Sequence, residues 1–207
     1  EIVKQTGIIE VRTFEELIDT LIAFEIIKPE FLPKGINVGL IAVSGGIGVT
    51  NSDILGDLGL KIPYLSEKTM KEIIDYDEVS SAGVSAANPI DLGGAFLNLS
   101  VMKKVITLSM QDDNINSMII EISQHYIYDR ILLLDKNFSQ AFLKRILETI
   151  IQASQTVKGK PVALVMPTVA YEMEEIFNRD YFVRKGIPVF DTVECAGLVI
   201  RNLFKYQ

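Results

Sequence analysis

Two rhythms alternate along most of the chain. Short runs dense in Ile, Val and Leu occur at Asn37–Val43, Leu60–Ile62, Ser117–Ile122, Pro161–Met166 and Ile187–Phe190, and each predicts a strand. Between and after them apolar residues return every three or four positions, which predicts helices over Gly48–Leu58, Ser66–Tyr76, Leu99–Met110, Ser139–Val157, Tyr171–Lys185 and Val193–Tyr206. Strands that are apolar on both faces and separated by helices imply one parallel sheet, covered on both sides and wound with right-handed crossovers. Near-complete burial is therefore expected at Val38, Leu40, Ile119, Ile120, Val162 and Leu164. Asp77–Gly94 has little periodicity and many Ser, Ala and Gly, and reads as a long loop over the strand tops.

Five such strands predict the doubly wound, flavodoxin-like α/β fold with strand order 2-1-3-4-5. Ahead of it, Thr13-Phe14-Glu15-Glu16 has the form of a capping box and starts a helix that runs to about Ile27. Leu17, Ile18, Leu21, Ile22 and Phe24 give this helix one greasy face. The stretch "KPEFLPKG" then reads as a connector, because proline removes a helix donor and restricts the residue before it. Residues 1–30 are thus expected to be an appended helical segment, and residues 31–207 the α/β domain.

Composition narrows the function without choosing it. The net charge of −7, with no long basic run, disfavours nucleic acid as a partner. No apolar run is long enough to span a membrane, and residues 1–20 carry charges throughout, so no membrane association is expected. The single cysteine, Cys195, cannot form an internal disulfide or a cysteine-based zinc site, which suits a reducing, cytoplasmic compartment.

The candidate chemistry lies in two glycine-rich stretches. In "LIAVSGGIGVTNSDILGDLG" a strand ends at Ser44, and Gly45, Gly46 and Gly48 follow where a helix begins. Glycine lets a ligand approach the main chain, and a helix start offers unpaired N–H groups and a partial positive charge, so a phosphate is the natural guest. Tight packing between strand and helix explains the same glycines about as well. The stretch lacks the Lys-Ser or Lys-Thr pair of a P-loop, and its spacing departs from the dinucleotide fingerprint. In "SAANPIDLGGAF", Asn88, Pro89 and Asp91 precede a second pair, Gly93 and Gly94. This reads either as a well-made loop or as the adjoining wall of a joint anion site.

Taken together, "VSGGIGVTNSDILGDLGLKIPYLSEKT" and "NPIDLGG" resemble the NDP-forming (ADP-forming) acyl-CoA synthetases, relatives of succinyl-CoA synthetase, and in particular their later flavodoxin-like domain. The opening "KQTGIIEVRTFEELID" and the closing "KGKPVALVMPT" and "GIPVFDTVECAGLVIRNLFKY" extend the resemblance over almost the whole chain. That family joins a carboxylic acid to coenzyme A while forming or consuming a nucleoside triphosphate, and passes phosphate through a histidine faced by two helix N-termini. The resemblance implies that one of those helices is Gly46–Leu58, that Ser44, Gly45, Gly46, Ile47, Gly48 and Val49 line the phosphate, and that Asn88, Asp91, Gly93 and Gly94 shape the adjoining loop. It also implies what stands outside this chain: a coenzyme A-binding domain with the phosphohistidine segment, and an ATP-grasp domain, in the same or another polypeptide. Magnesium, ATP or ADP, and coenzyme A are implied for the intact enzyme, no cofactor or metal for this chain alone. The isolated chain is expected to be inactive, with no catalytic residue of its own.

Other residues invite a role that the sequence does not favour. His125, the only histidine, lies just past the third strand outside any matching motif, and reads as a loop residue. Tyr126, Tyr128, Asp129 and Arg130 read as an amphipathic loop rather than a lid. Cys195 reads as a small hydrophobe, and Glu15, Glu16, Glu174 and Glu175 as helix-start or solvated acids. Two further functions fit the same fold: a ligand-sensing, ligase-like module of a protein acetyltransferase, and a free-standing flavodoxin-like protein binding FMN or another anion.

Overall fold

The structure, a computed structural model, describes residues 6–76, 84–123, 136–169 and 172–206. Five parallel strands form one sheet: β1 (Val38–Ala42), β2 (Ile90–Asp91), β3 (Ser117–Glu121), β4 (Val162–Val165) and β5 (Val189–Phe190). Their spatial order is β2-β1-β3-β4-β5, as the apolar pattern predicts. The α-helices among the described residues are α1 (Phe14–Ile26), α2 (Gly45–Asp57), α3 (Glu67–Ile74), α4 (Leu99–Gln111), α5 (Lys136–Ser154), α6 (Glu172–Arg184) and α7 (Val193–Lys205).

Alternate residues of each strand feed two separate cores. Ile41, Met118, Ile120, Val162 and Leu164 pack toward α3, α4 and α5, while Val38, Leu40, Ile119, Ala163 and Val165 pack toward α2 and α7. All six strand residues expected to be buried are buried. Covering a sheet on both sides is what turns its strands into continuous apolar runs. α1 packs along α7 and adds Ala23, with the following Ile27, to the edge of the second core.

One strand is not where the pattern puts it. Leu60–Ile62 makes only an isolated parallel bridge, Asn37 to Lys61, and the second strand of the sheet is Ile90–Asp91, inside the segment read as loop. The reason is local. Pro63 has no N–H with which to continue a ladder, and the chain turns away into α3. The exposed edge of β1 is then closed in three pieces. Lys61 C=O accepts from Val38 N–H at 2.7 Å, Ile90 and Asp91 pair with Ile41 and Ala42, and the Asn88 side chain fills the interval between.

Candidate functional site

The Asn88 amide behaves as a detached peptide unit. Its Oδ1 accepts from Leu40 N–H, and its Nδ2 donates to Val38 C=O and to Pro63 C=O, each at 2.8 Å. An asparagine amide has the donors and acceptor of a backbone unit, so it satisfies groups that would otherwise be buried without partners. Asn88 is itself buried, and the peptide bond to Pro89 is cis. Its role in the loop is thus to hold the edge of β1. Asp91 follows at the end of β2, where its Oδ1 accepts from Gly93 N–H at 2.8 Å. Gly93 has φ of 46°, a left-handed angle that glycine accepts at little cost, and a 3-10 turn over Gly93–Leu97 leads to α4.

Across the strand tops, β1 passes through Val43 and Ser44 into α2. Ser44 is the N-cap, with extended backbone and Oγ 3.5 Å from Ile47 N–H, a long cap bond. Gly48 N–H already bonds to Ser44 C=O at 3.0 Å, closing the first turn. The N–H groups of Gly45 and Gly46 precede that bond and have no helical partner, and both residues are exposed. The six residues Ser44–Val49 therefore divide. Ser44, Gly45, Gly46 and Ile47 form the open helix start, Gly48 is buried, and Val49 faces solvent.

The glycines serve different ends. A Cβ on Gly48 would lie 3.2 Å from Pro89 Cβ, so this glycine lets α2 sit against the second loop. A Cβ on Gly46 would meet nothing within 4 Å, so packing gives no reason for it. A Cβ on Gly45 would lie 3.1 Å from Asp91 Oδ2. The two loops thus meet at Gly45 and Gly48, and a carboxylate borders the open N–H groups. That carboxylate competes with any anion placed there.

One residue that the sequence reading passes over also stands at this edge. Glu121 closes β3 and is buried, and Asn51 Nδ2 of α2 donates to its Oε2 at 2.6 Å. Burial pushes the Glu121 carboxyl above the usual carboxylate range, against the pull of the Asn51 bond. The pair ties the second turn of α2 to the sheet and so fixes where the helix start points. Its signal in the sequence is an acid ending an otherwise apolar strand, "SMIIE".

On the far side of the strand tops, Arg179 is already committed to Asp191 and to Met166 C=O. Cys195 lies in the first turn of α7; burial and the nearby Asp19 and Asp191 push its thiol up, against the hydrogen bond with Thr192, which keeps it in its unreactive form. His125, Tyr126, Tyr128, Asp129 and Arg130 lie outside the described residues. Among the described residues no group of His, Cys, Asp and Glu side chains is placed to hold a metal ion, and no helix is long and apolar enough to cross a membrane.

Known proteins give this geometry its context. No protein-family model matches the sequence. The chain is 27% identical over 192 residues, 92% of its length, to the alpha subunit of an ADP-forming acetate–CoA ligase II of Pyrococcus furiosus. It is 32% identical over 122 residues, 56% of its length, to an ADP-forming acetate–CoA ligase II of Archaeoglobus fulgidus. The chain spans 37% and 17% of those two proteins, so it corresponds to a part of each. Among solved structures, a Pyrococcus horikoshii protein superposes with TM-score 0.73 at 23% identity, covering 99% of this chain and 42% of that one. A dinucleotide-forming acetyl-coenzyme A synthetase of Candidatus Korarchaeum cryptofilum, solved in complex with phosphate and ADP, gives TM-score 0.70 at 21% identity over 99% of this chain and 39% of that one. The two structures establish the shared fold. The homologues in sequence are ADP-forming acetate–CoA ligases, and the partial coverage fits a later domain of such a ligase.

Proposed function

We propose that this chain is the phosphate-handling domain of an ADP-forming acyl-CoA ligase, which interconverts acyl-CoA, ADP and phosphate with acid, coenzyme A and ATP. The observation that carries this reading is the exposed start of α2, where Gly45 and Gly46 offer unpaired N–H groups at the switch in strand order. A phosphoryl group carried there by a histidine outside residues 1–207 would accept those two N–H groups. No lysine or arginine is needed, and a group held by main-chain dipoles leaves as readily as it arrives.

The remaining residues act on that helix start rather than on the phosphate. Ser44 caps it, Gly48 and Pro89 set its distance from the second loop, and Asn51 with Glu121 fixes its direction. Asp91 keeps the empty site from holding a free anion strongly, which favours transfer over storage. A single exposed helix end contributes only about 0.3–1 kcal/mol to anion binding, so a second set of donors from another domain completes the site.

The test is a phosphate titration of the 207-residue chain followed by amide NMR. Weak, saturable shifts should centre on Gly45, Gly46 and Ile47, and Gly46→Val should remove them while the rest of the spectrum stays in place. Shifts elsewhere with none at these amides would defeat the reading. The isolated chain should form no acyl-CoA from acid, coenzyme A, ATP and magnesium, and in the intact ligase Gly46→Val should stop phosphate transfer.

A further inference from the structure

α1 is amphipathic, and although Ala23 and Phe24 meet the second core, most of its large apolar residues face away from it. Its buried residues are Glu16, Thr20 and Ala23, followed by the buried C-cap Ile27. Glu16 Oε1 accepts from Arg201 at 3.2 Å and from Asn202 Nδ2 at 3.0 Å, while its Oε2 accepts from Arg12 N–H at 2.9 Å. Thr20 Oγ1 meets the same Asn202 at 3.1 Å. Burial by itself raises the Glu16 carboxyl, yet these hydrogen bonds and the Arg201 charge outweigh it and hold the group below its ordinary range. Glu16 and Thr20 are thus satisfied inside, and the helix cannot turn over without leaving the buried Asn202 amide and the Arg201 guanidinium short of their partners.

The opposite face is left to water. Phe14 is 71% exposed, Leu21 55%, Ile22 45%, Ile18 39% and Leu17 37%, and Ile8, just ahead of the helix, is 61% exposed. Positions 14, 17, 18, 21 and 22 are one continuous stripe on a helix. Scattered exposed apolar residues are ordinary on a protein surface, whereas a full stripe of large ones marks an interaction face.

We infer that this stripe docks another domain of the same ligase assembly, one that presents an apolar surface bordered by lysine or arginine. The inference rests on the reading of the chain as part of a larger ligase, whose homologous subunit is spanned here over only 37% of its length. The rim sets the partner's charge. Glu15 and Asp19 border one side of the stripe, Glu25 closes its C-terminal end, and the helix contains no Lys or Arg. Two copies meeting through a two-fold axis would bring these acids together, which disfavours self-association. Area points the same way. A 13-residue helix is about 20 Å long and about 10 Å wide. Its face covers a few hundred Å², short of the roughly 800 Å² that each partner contributes to a stable free complex. A domain tethered in the same assembly docks at an effective concentration of about 1 mM and needs no more than that.

The test places a photo-cross-linking benzoylphenylalanine at position 21 of the intact protein that carries this chain, alongside an assay for acyl-CoA formation. The expected product joins position 21 to an apolar segment, flanked by Lys or Arg, outside residues 1–207. Leu21→Glu, which keeps the helix content and melting temperature of the chain, should lower cross-linking from a probe at position 18 about tenfold. Cross-links to residues 1–207 of a second copy, with concentration-dependent dimers in sedimentation, would overturn the inference. So would an intact protein that forms acyl-CoA yet gives no cross-link. An intact protein that forms no acyl-CoA but cross-links between its domains would sink the ligase reading and leave the docking face standing.

Discussion

The two glycine-bearing loops at the strand tops look alike in sequence and differ in what they do with their polar groups. In the loop from Asn88 to Gly94 the polar groups are spent: Asn88 makes three hydrogen bonds to the β1 edge and to Pro63, and Asp91 holds Gly93. In the loop from Ser44 to Gly48 the first helical bond begins only at Gly48, and the N–H groups of Gly45 and Gly46 are left over. One loop has its polar groups committed to scaffold, and the other leaves donors open. A glycine pair therefore has no fixed meaning; what matters is which backbone groups the surrounding structure has already used.

That contrast breaks most visibly at Asn88. Asn88→Ala strands the Leu40 N–H and the Val38 and Pro63 carbonyls in a buried place, and at about 1 kcal/mol or more for each the loss should be about 3 kcal/mol or greater. Urea unfolding at neutral pH measures it, and a loss below about 1 kcal/mol would mean that water replaces the amide and the loop is not scaffold. Next come the two glycines of the open loop. Gly48→Val must push against Pro89 and should cost about 1–3 kcal/mol of stability, whereas Gly46→Val meets open space and should stay within about 0.5 kcal/mol. The proposed function adds that Gly46→Val lowers turnover of the intact protein by at least about tenfold, because a side chain would cover donors meant for the transferring group. Equal stability losses, or unchanged turnover, would erase the distinction between the glycines.

A smaller effect sharpens the electrostatic side. Asp91→Asn removes the charge next to Gly45, and the asparagine Oδ1 can still accept from Gly93, so the fold should hold while phosphate binds several-fold more tightly, a change of about 1 kcal/mol. Calorimetric titration of the chain with phosphate would show it, and weaker binding would mean that Asp91 organises the site instead of opposing the anion. The smallest expected effect is at Glu121. Its carboxyl is pushed up by burial, so the fold prefers the protonated form. That preference is fully present below the unfolded value near 4.3 and is lost as pH rises through the higher folded value. Glu121→Gln, which keeps an acceptor for Asn51, should therefore melt higher than wild type at pH 7, with the difference disappearing below about pH 4. A lower melting temperature at pH 7 would show that the ionised form is the stabilising one.

The sequence alone determined the elements and their general order. Among the described residues, apolar runs and three-to-four periodicity place four of the five strands and the seven α-helices to within a few residues, because burial on both faces of a parallel sheet leaves a direct trace in composition. Thr13 caps α1 as its local pattern dictates, with Oγ1 accepting from Glu16 N–H at 3.0 Å. Tertiary structure decided the rest. β2 is two residues long and has no period to read, and its place beside β1 depends on Asn88 reaching a strand 48 residues earlier in the chain. Asn51 and Glu121 meet across 70 residues, which no local window contains. For α1 the periodicity specifies that the helix has an apolar and a polar face, but not which of them turns inward. Arg201 and Asn202 of α7 settle that, because a carboxylate with three hydrogen-bond partners already in place outbids apolar contact for the buried side.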